Sequence, residues 1–145
     1  MIALEPISDM HKVLLMSKYE MSDSDADTLI SESNVELHNS KFFKMFIVSN
    51  KEAYIGTISL YEHSASVISI GPEIFDKYKR QGYAVQAMKA AMKAAKLKGY
   101  KVVFQQIRTD NTASIKLHTK LGFETDKYDY VNKNNHTVNI YLKSL

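Results

Sequence analysis

Apolar and polar positions along the chain change period twice, from a mixed opening section to alternating strands and then to a strand–helix alternation. The stretch "IALEP" reads as a short strand ended by Pro6. Ser8 is placed to cap a helix running to about Lys18, with Val13, Leu14 and Met16 as its apolar surface. "SDSDADTLISES" predicts a second, short helix whose acidic start suits the positive end of the helix dipole. Phe42–Ser49 and Ala53–Glu62 flank the tight turn "NKE" and form a hairpin, and Ser66–Phe75 makes a third strand. Within that strand Gly71-Pro72 predicts a bulge or a local break in pairing, because proline cannot donate to a ladder.

The period then changes to helix Gly82–Lys98, strand Lys101–Arg108 and helix Thr112–Leu121, with Gly99 and Gly122 as stops. The chain closes with "ETDKYDYV" and "TVNIYLKSL" around a turn at Asn132–Asn135. Tyr128 and Tyr130 alternate along the first of these and read as sheet packing. Early hairpins, a central crossover and a closing hairpin give an α+β class, an α/β mixed sheet in which strands 66–75 and 101–108 run parallel.

A length of 145 residues suits a single domain over 1–145, and 45% hydrophobic with 24% charged residues is ordinary for a soluble globular chain. There is no cysteine, which excludes disulfides, cysteine-ligated metals and a cysteine acyl-enzyme, and which fits a reducing cytoplasm. The net charge of +3 is too mild for a dedicated nucleic-acid binder. "MIALEPISDMHK" shows no basic leader before an apolar run, and no apolar stretch approaches the roughly 20 residues of a bilayer span. His11, His63 and His136 have no metal-ligand spacing.

The chemistry concentrates at "DKYKRQGYAVQAMKAAMKAAKLKGY". Gly82-Tyr83-Ala84 opens a helix whose first N–H groups have no internal partner. A phosphate there gains those donors and the dipole, while Gly82 and Ala84 let it approach the backbone. Lys77, Lys79 and Arg80 add positive charge. Val85, Met88, Met92 and Ala95 share one face of the helix and Lys89, Lys93 and Lys96 lie largely opposite, so it should pack on a sheet rather than lie on a membrane.

Lys79-Arg80-Gln81-Gly82-Tyr83-Ala84 resembles the Arg/Gln-x-x-Gly-x-Gly/Ala signature of the GNAT superfamily of acyl-coenzyme A-dependent N-acetyltransferases, with Lys79 where the family usually has Arg or Gln. "DNTASIKLHTKLGFE" is similar to a second family segment, matching at Asn111, Ser114 and Leu121-Gly122-Phe123. The resemblance covers about residues 42–145 well and the N-terminal helices by order alone. It implies a GNAT-like fold with a mixed sheet of about seven strands flanked by about four helices. It also implies acetyl-CoA as co-substrate, no metal, and acetyl transfer to a primary amine in one ternary complex.

By the resemblance, Lys79, Arg80, Gln81, Gly82, Tyr83 and Ala84 would hold the diphosphate, and Asn111 and Ser114 the coenzyme arm. Pantetheine would add to the edge of strand 66–75, with Ile74 and Phe75 among the coenzyme-binding residues and a backbone N–H at Ile74 polarising the thioester carbonyl. Asn111 is equally a helix N-cap. His118 stands where the family commonly has a tyrosine acid, and would either protonate the departing thiolate or simply be satisfied where it lies. The acceptor, an alkylamine with a pKa of about 10.4, must lose a proton, and Glu73 is the first candidate base, with a solvated surface role as its alternative. Glu36 and His38 lie near the loop that would cover the acceptor.

The acidic bias of Ser17–Lys41 suits a cationic amine acceptor. A catalytically weak acyl-CoA-binding module and a basic nucleic-acid or ribosome-associated protein are the rival readings. The C-terminal strand "TVNIYLKSL" could pair across a homodimer.

Overall fold

The computed structural model describes residues 1–35 and 41–145. In chain order these form β1 (Ala3–Pro6), α1 (Lys12–Tyr19), α2 (Asp23–Ser33), β2 (Phe43–Ser49), β3 (Tyr54–Glu62) and β4 (Val67–Ile74). There follow α3 (Tyr83–Leu97), β5 (Val102–Arg108), α4 (Thr112–Lys120), β6 (Tyr130–Val131) and β7 (Thr137–Ser144). Among the described residues the strands make one seven-stranded sheet in the order β1-β2-β3-β4-β5-β7-β6, with β4 and β5 parallel and every other pair antiparallel. This is the expected mixed sheet, with the crossover through α3.

The two faces have separate cores. α1 and α2 cover one face through Leu15 and Ile30 against Ile7, Phe43, Met45 and Ile47. On the other, α3 buries Ala87, Met88, Ala91, Met92 and Ala95, and the half-buried Ile115 and Leu117 of α4 join the same cluster. The predicted Met88–Met92–Ala95 stripe is therefore the face laid on the sheet. The small alanines between them let α3 sit close to β3 and β4.

Two local departures have local causes. The first helix opens with a 3-10 turn at Asp9–His11, and the Ser8 N–H donates to His11 Nδ1 (3.1 Å). "ETDKYDYV" pairs only at Tyr130–Val131, plus one bridge from Glu124 to Leu142. There Thr125 Oγ1 and Asp126 Oδ1 accept the N–H groups of Lys127 and Tyr128, and Lys127 sits at φ 60°, so side chains take donors that a ladder needs. Tyr128 consequently lies outside the strand and is exposed. β7 lies between β5 and β6; β5 pairs with Val138–Ser144, while on its other side pairs form at Thr137, Val138 and Leu142.

The Gly71-Pro72 irregularity is one-sided. Against β3, β4 pairs at seven consecutive positions without a register shift, from Gly56–Ile74 to Glu62–Ile68. Against β5, pairing stops after Val67–Val102 and Ile68–Val103. The Phe75 N–H donates to Ile55 O (2.9 Å), which sets the alternation: Gly71 and Glu73 bond to β3, while Ile70, Pro72 and Ile74 aim their backbone groups toward β5. Pro72 thus lacks its N–H on the side where the sheet opens, and it removes no bond from the β3 ladder.

Candidate active site

Beside the part of β4 that no longer pairs with β5, a cleft of about 610 Å³ runs between the start of α3 and α4. Its walls include Glu73, Ile74, Lys79, Arg80, Gly82, Tyr83, Ala84, Asn111 and Ser114, nine of the residues expected from the sequence, together with Pro72 and Tyr78. Gly82 caps α3 in the left-handed conformation at φ 81°, and a Cβ there would meet nothing within 4 Å. The glycine is needed for its backbone angle and for the open space beside it. Arg80 is also left-handed at φ 63°, so left-handed residues alternate with Gln81 just ahead of the helix. Such alternation turns successive N–H groups inward, and with the free donors of the first helical turn it makes a seat for an anion. The chemistry of this donor set fits a diphosphate.

Of the cationic side chains around the seat, Lys79 is already engaged at the surface. Lys79 Nζ lies 2.8 Å from Asp76 Oδ1, an exposed pair that holds the Asp76 carboxyl below its usual value mainly through that hydrogen bond. Gln81 is exposed. Phe75 is buried, its N–H is spent on Ile55 O, and its carbonyl accepts from Tyr78 N–H (2.8 Å). The free β4 donor nearest the glycine turn is therefore the Ile74 N–H.

Asn111 caps α4, its Oδ1 accepting from the Ser114 N–H (3.1 Å), while Arg108 holds the neighbouring Asp110 in a two-bond pair (3.1 and 2.8 Å). That leaves the Nδ2 donors of Asn111 as what it can offer a ligand.

His118 lies on a second cleft of about 430 Å³, which shares Pro72 and Ser114 with the first. It is 3% exposed and its two ring nitrogens both have neighbours: Nδ1 lies 2.8 Å from Ser114 O and Nε2 lies 3.1 Å from Gln105 Nε2. Because Ser114 O can only accept and the Gln105 amide nitrogen can only donate, Nδ1 carries the proton and Nε2 accepts. Burial lowers the His118 pKa, opposed by the bond to Ser114, so the ring rests neutral near pH 7.

Glu73 is exposed on the other wall, paired across the ladder with Thr57. Thr57 Oγ1 lies 2.6 Å from Tyr19 OH. Burial pushes the Tyr19 hydroxyl up to about 12, with the bond to Thr57 opposing and the Glu73 charge adding to the rise. Tyr19 and Glu73 are thus electrostatic neighbours, a link that a separation of 54 positions concealed. The clearest omission from the sequence reading is Gln105. Its signal was there: a polar residue at the inward parity of β5, between Val103 and Ile107. Glu36 and His38 lie outside the described residues.

The acidic bias near α2 is partly consumed within the fold, since Lys12 Nζ pairs with both Asp23 and Asp27 at 2.8 Å. Among the described residues no group of three or more His, Asp or Glu could hold a metal ion, and no helix is long and apolar enough to cross a membrane.

Comparison with known proteins bears on this geometry. The structure of RimL, a ribosomal L7/L12 alpha-N-protein acetyltransferase in complex with coenzyme A, superposes with a TM-score of 0.82 at 17% identity, covering 99% of this chain and 94% of that one. The spermidine N-acetyltransferase SpeG chimera from Vibrio cholerae and hSSAT gives 0.79 at 14% identity, covering 99% and 94%. The microcin C7 self-immunity acetyltransferase MccE in complex with acetyl-CoA and AMP gives 0.73 at 18% identity, covering 99% and 92%. At these identities the likeness is one of fold. A search of curated proteins found no match to this sequence. The family model described as an acetyltransferase (GNAT) domain matches residues 5–124, and the chain belongs to the GNAT acetyltransferase family.

Proposed function

We propose that this protein transfers the acetyl group of acetyl-CoA to a primary amine in a single ternary complex. The observation that carries the reading is the one-sided opening of β4: an unpaired strand edge leads from the splay to the anion seat at Gly82. When bound, acetyl-CoA supplies an activated acyl thioester at the end of a long arm with amide groups. The seat at Arg80–Ala84 binds the diphosphate, and the free β4 edge can pair with the amides of the arm. The Ile74 N–H polarises the thioester carbonyl, and Asn111 Nδ2 contributes a further donor. The solved structures that hold coenzyme A or acetyl-CoA on this fold support the choice of ligand.

Glu73 takes the proton of the acceptor amine, with Tyr19 and Thr57 fixing its place. Its open position on the cleft wall suits a base that must exchange protons with solvent. Glu73→Gln should lower kcat by about 100-fold or more while leaving the KM for acetyl-CoA nearly unchanged. His118 serves this reading as a neutral support for Gln105 and the α4 end of the cleft. The departing thiolate, with a pKa of about 8.5, needs only modest help. A flat kcat between pH 6 and 8 in both wild type and His118→Asn fits the supporting role, whereas a fall in kcat with rising pH that is lost in the variant restores the proton donor.

The acceptor is a cationic amine. Neighbouring folds act on a protein N-terminus and on spermidine, and both chemistries suit the carboxylate at Glu73. Thermal stabilisation by acetyl-CoA and free thiol release on an amine panel test the whole reading. Stabilisation without release for any amine would favour a binding module.

A further inference from the structure

We infer that Gln105 is a stop for the acyl chain, which restricts the transferred group to short acyl groups; this rests on the acetyltransferase reading above. The geometry is specific. The β4–β5 ladder ends at Ile68–Val103, and in the same register Ile70 would next meet Gln105. There the Gln105 side chain replaces the ladder. Its Oε1 accepts the Ile70 N–H (3.1 Å) and its Nε2 donates to Ile70 O (2.6 Å). The second Nε2 hydrogen goes to His118 Nε2 (3.1 Å), and His118 is anchored in turn on Ser114 O (2.8 Å).

A side-chain amide therefore fills the base of the splay, 7% exposed and bonded at both ends. Such a group is held in place rather than free to swing aside, because moving it strands the N–H and the C=O of Ile70 in a buried site. A coenzyme whose diphosphate sits at Gly82 enters the splay from the other end, with its acyl group leading. Each added methylene then advances toward the Gln105 amide. The penalty is steric, since an alkyl chain reaching this depth meets the bulk of the Gln105 side chain at the base of the splay.

The test compares acetyl-, butyryl- and octanoyl-CoA by kcat/KM with one acceptor amine. In the wild type, octanoyl-CoA should fall below acetyl-CoA by at least about 100-fold, since a single misplaced methylene is worth roughly 10- to 200-fold. Gln105→Ala should raise the octanoyl-to-acetyl ratio by about tenfold or more, while Gln105→Leu, which keeps the bulk, should leave the ratio near wild type. A purely structural role would lower all three substrates together and leave the ratio unchanged, which overturns the proposal. So would a shift in Gln105→Leu as large as that in Gln105→Ala. Should the variants fold poorly, calorimetry on the wild type decides: equal affinity for octanoyl- and acetyl-CoA overturns the stop. Failure of the wild type to take up acetyl-CoA overturns the acetyltransferase reading and the stop with it, whereas acetyl turnover matched by octanoyl turnover overturns the stop alone.

Discussion

Strand β4 meets its two neighbours in opposite ways. Toward β3 it forms a closed seam of seven pairs, tight enough that a Cβ on Gly56 would collide with the Glu73 carbonyl oxygen and approach Ile74 Cα to 3.0 Å. Toward β5 it forms two pairs and then opens, and side chains span the gap: Ser69 Oγ donates to Phe104 O and Gln105 Oε1 accepts the Ile70 N–H. One strand thus serves as a structural wall on one edge and leaves an open edge, the proposed ligand edge, on the other. The alternation of antiparallel bonding assigns the two jobs, since odd positions face β3 and even positions face the cleft. Pro72 belongs to the second set, where its missing donor removes no ladder bond.

The largest expected effect comes from breaking the closed seam. Gly56→Val should destabilise the fold by about 3 kcal/mol, because the wall cannot yield without separating β3 from β4. Urea denaturation reads it directly. On the open edge, Gly82→Val should leave most of the stability in place, at a loss of about 1 to 2 kcal/mol for the left-handed backbone. It should nevertheless weaken acetyl-CoA binding by roughly 10- to 100-fold in calorimetry, as the side chain displaces a bound phosphate from the backbone. A smaller change is expected for Lys79→Ala, no more than about threefold in affinity, because its ammonium is already paired with Asp76 at the surface.

The smallest effect concerns the Gln105–His118 bridge and depends on pH. The folded pKa of His118 is lowered, so the folded state binds fewer protons than the unfolded one. The stability this contributes is present above the unfolded value near 6.5 and is lost as pH falls below it. Denaturation at pH 7.5 and pH 5.5 should show a drop in the wild type that narrows in His118→Asn. An unchanged drop would place the acid-sensitive group elsewhere.

The closed seam and the anion seat were easier to foresee than the bridge. The β2–β3 hairpin, the stop residues Gly99 and Gly122, and the α3 start at Gly82 each follow from a few consecutive residues. The expected break at Gly71-Pro72 was legible as a backbone constraint, but proline alone does not say which edge opens. Phe75 illustrates a different gap. Adjacent to Ile74 in the chain, it belongs to the other side of the strand, and its N–H closes the β3 ladder instead of facing the cleft.

By itself the sequence determined the order of elements, the amphipathic face of α3, the parallel crossover and the glycine turn that can seat a phosphate. These depend on near-neighbour sterics, on helix termini and on periodicity, all of which act within a few residues. Only the tertiary structure decided that Gln105 plugs the splay, that His118 is buried and neutral, that Tyr19 and Thr57 stand beside Glu73, and that Lys12 neutralises part of the acidic α2. Those facts depend on which distant groups are brought within about 3 Å and stripped of water, and hydrogen bonds and pKa values respond to that proximity alone.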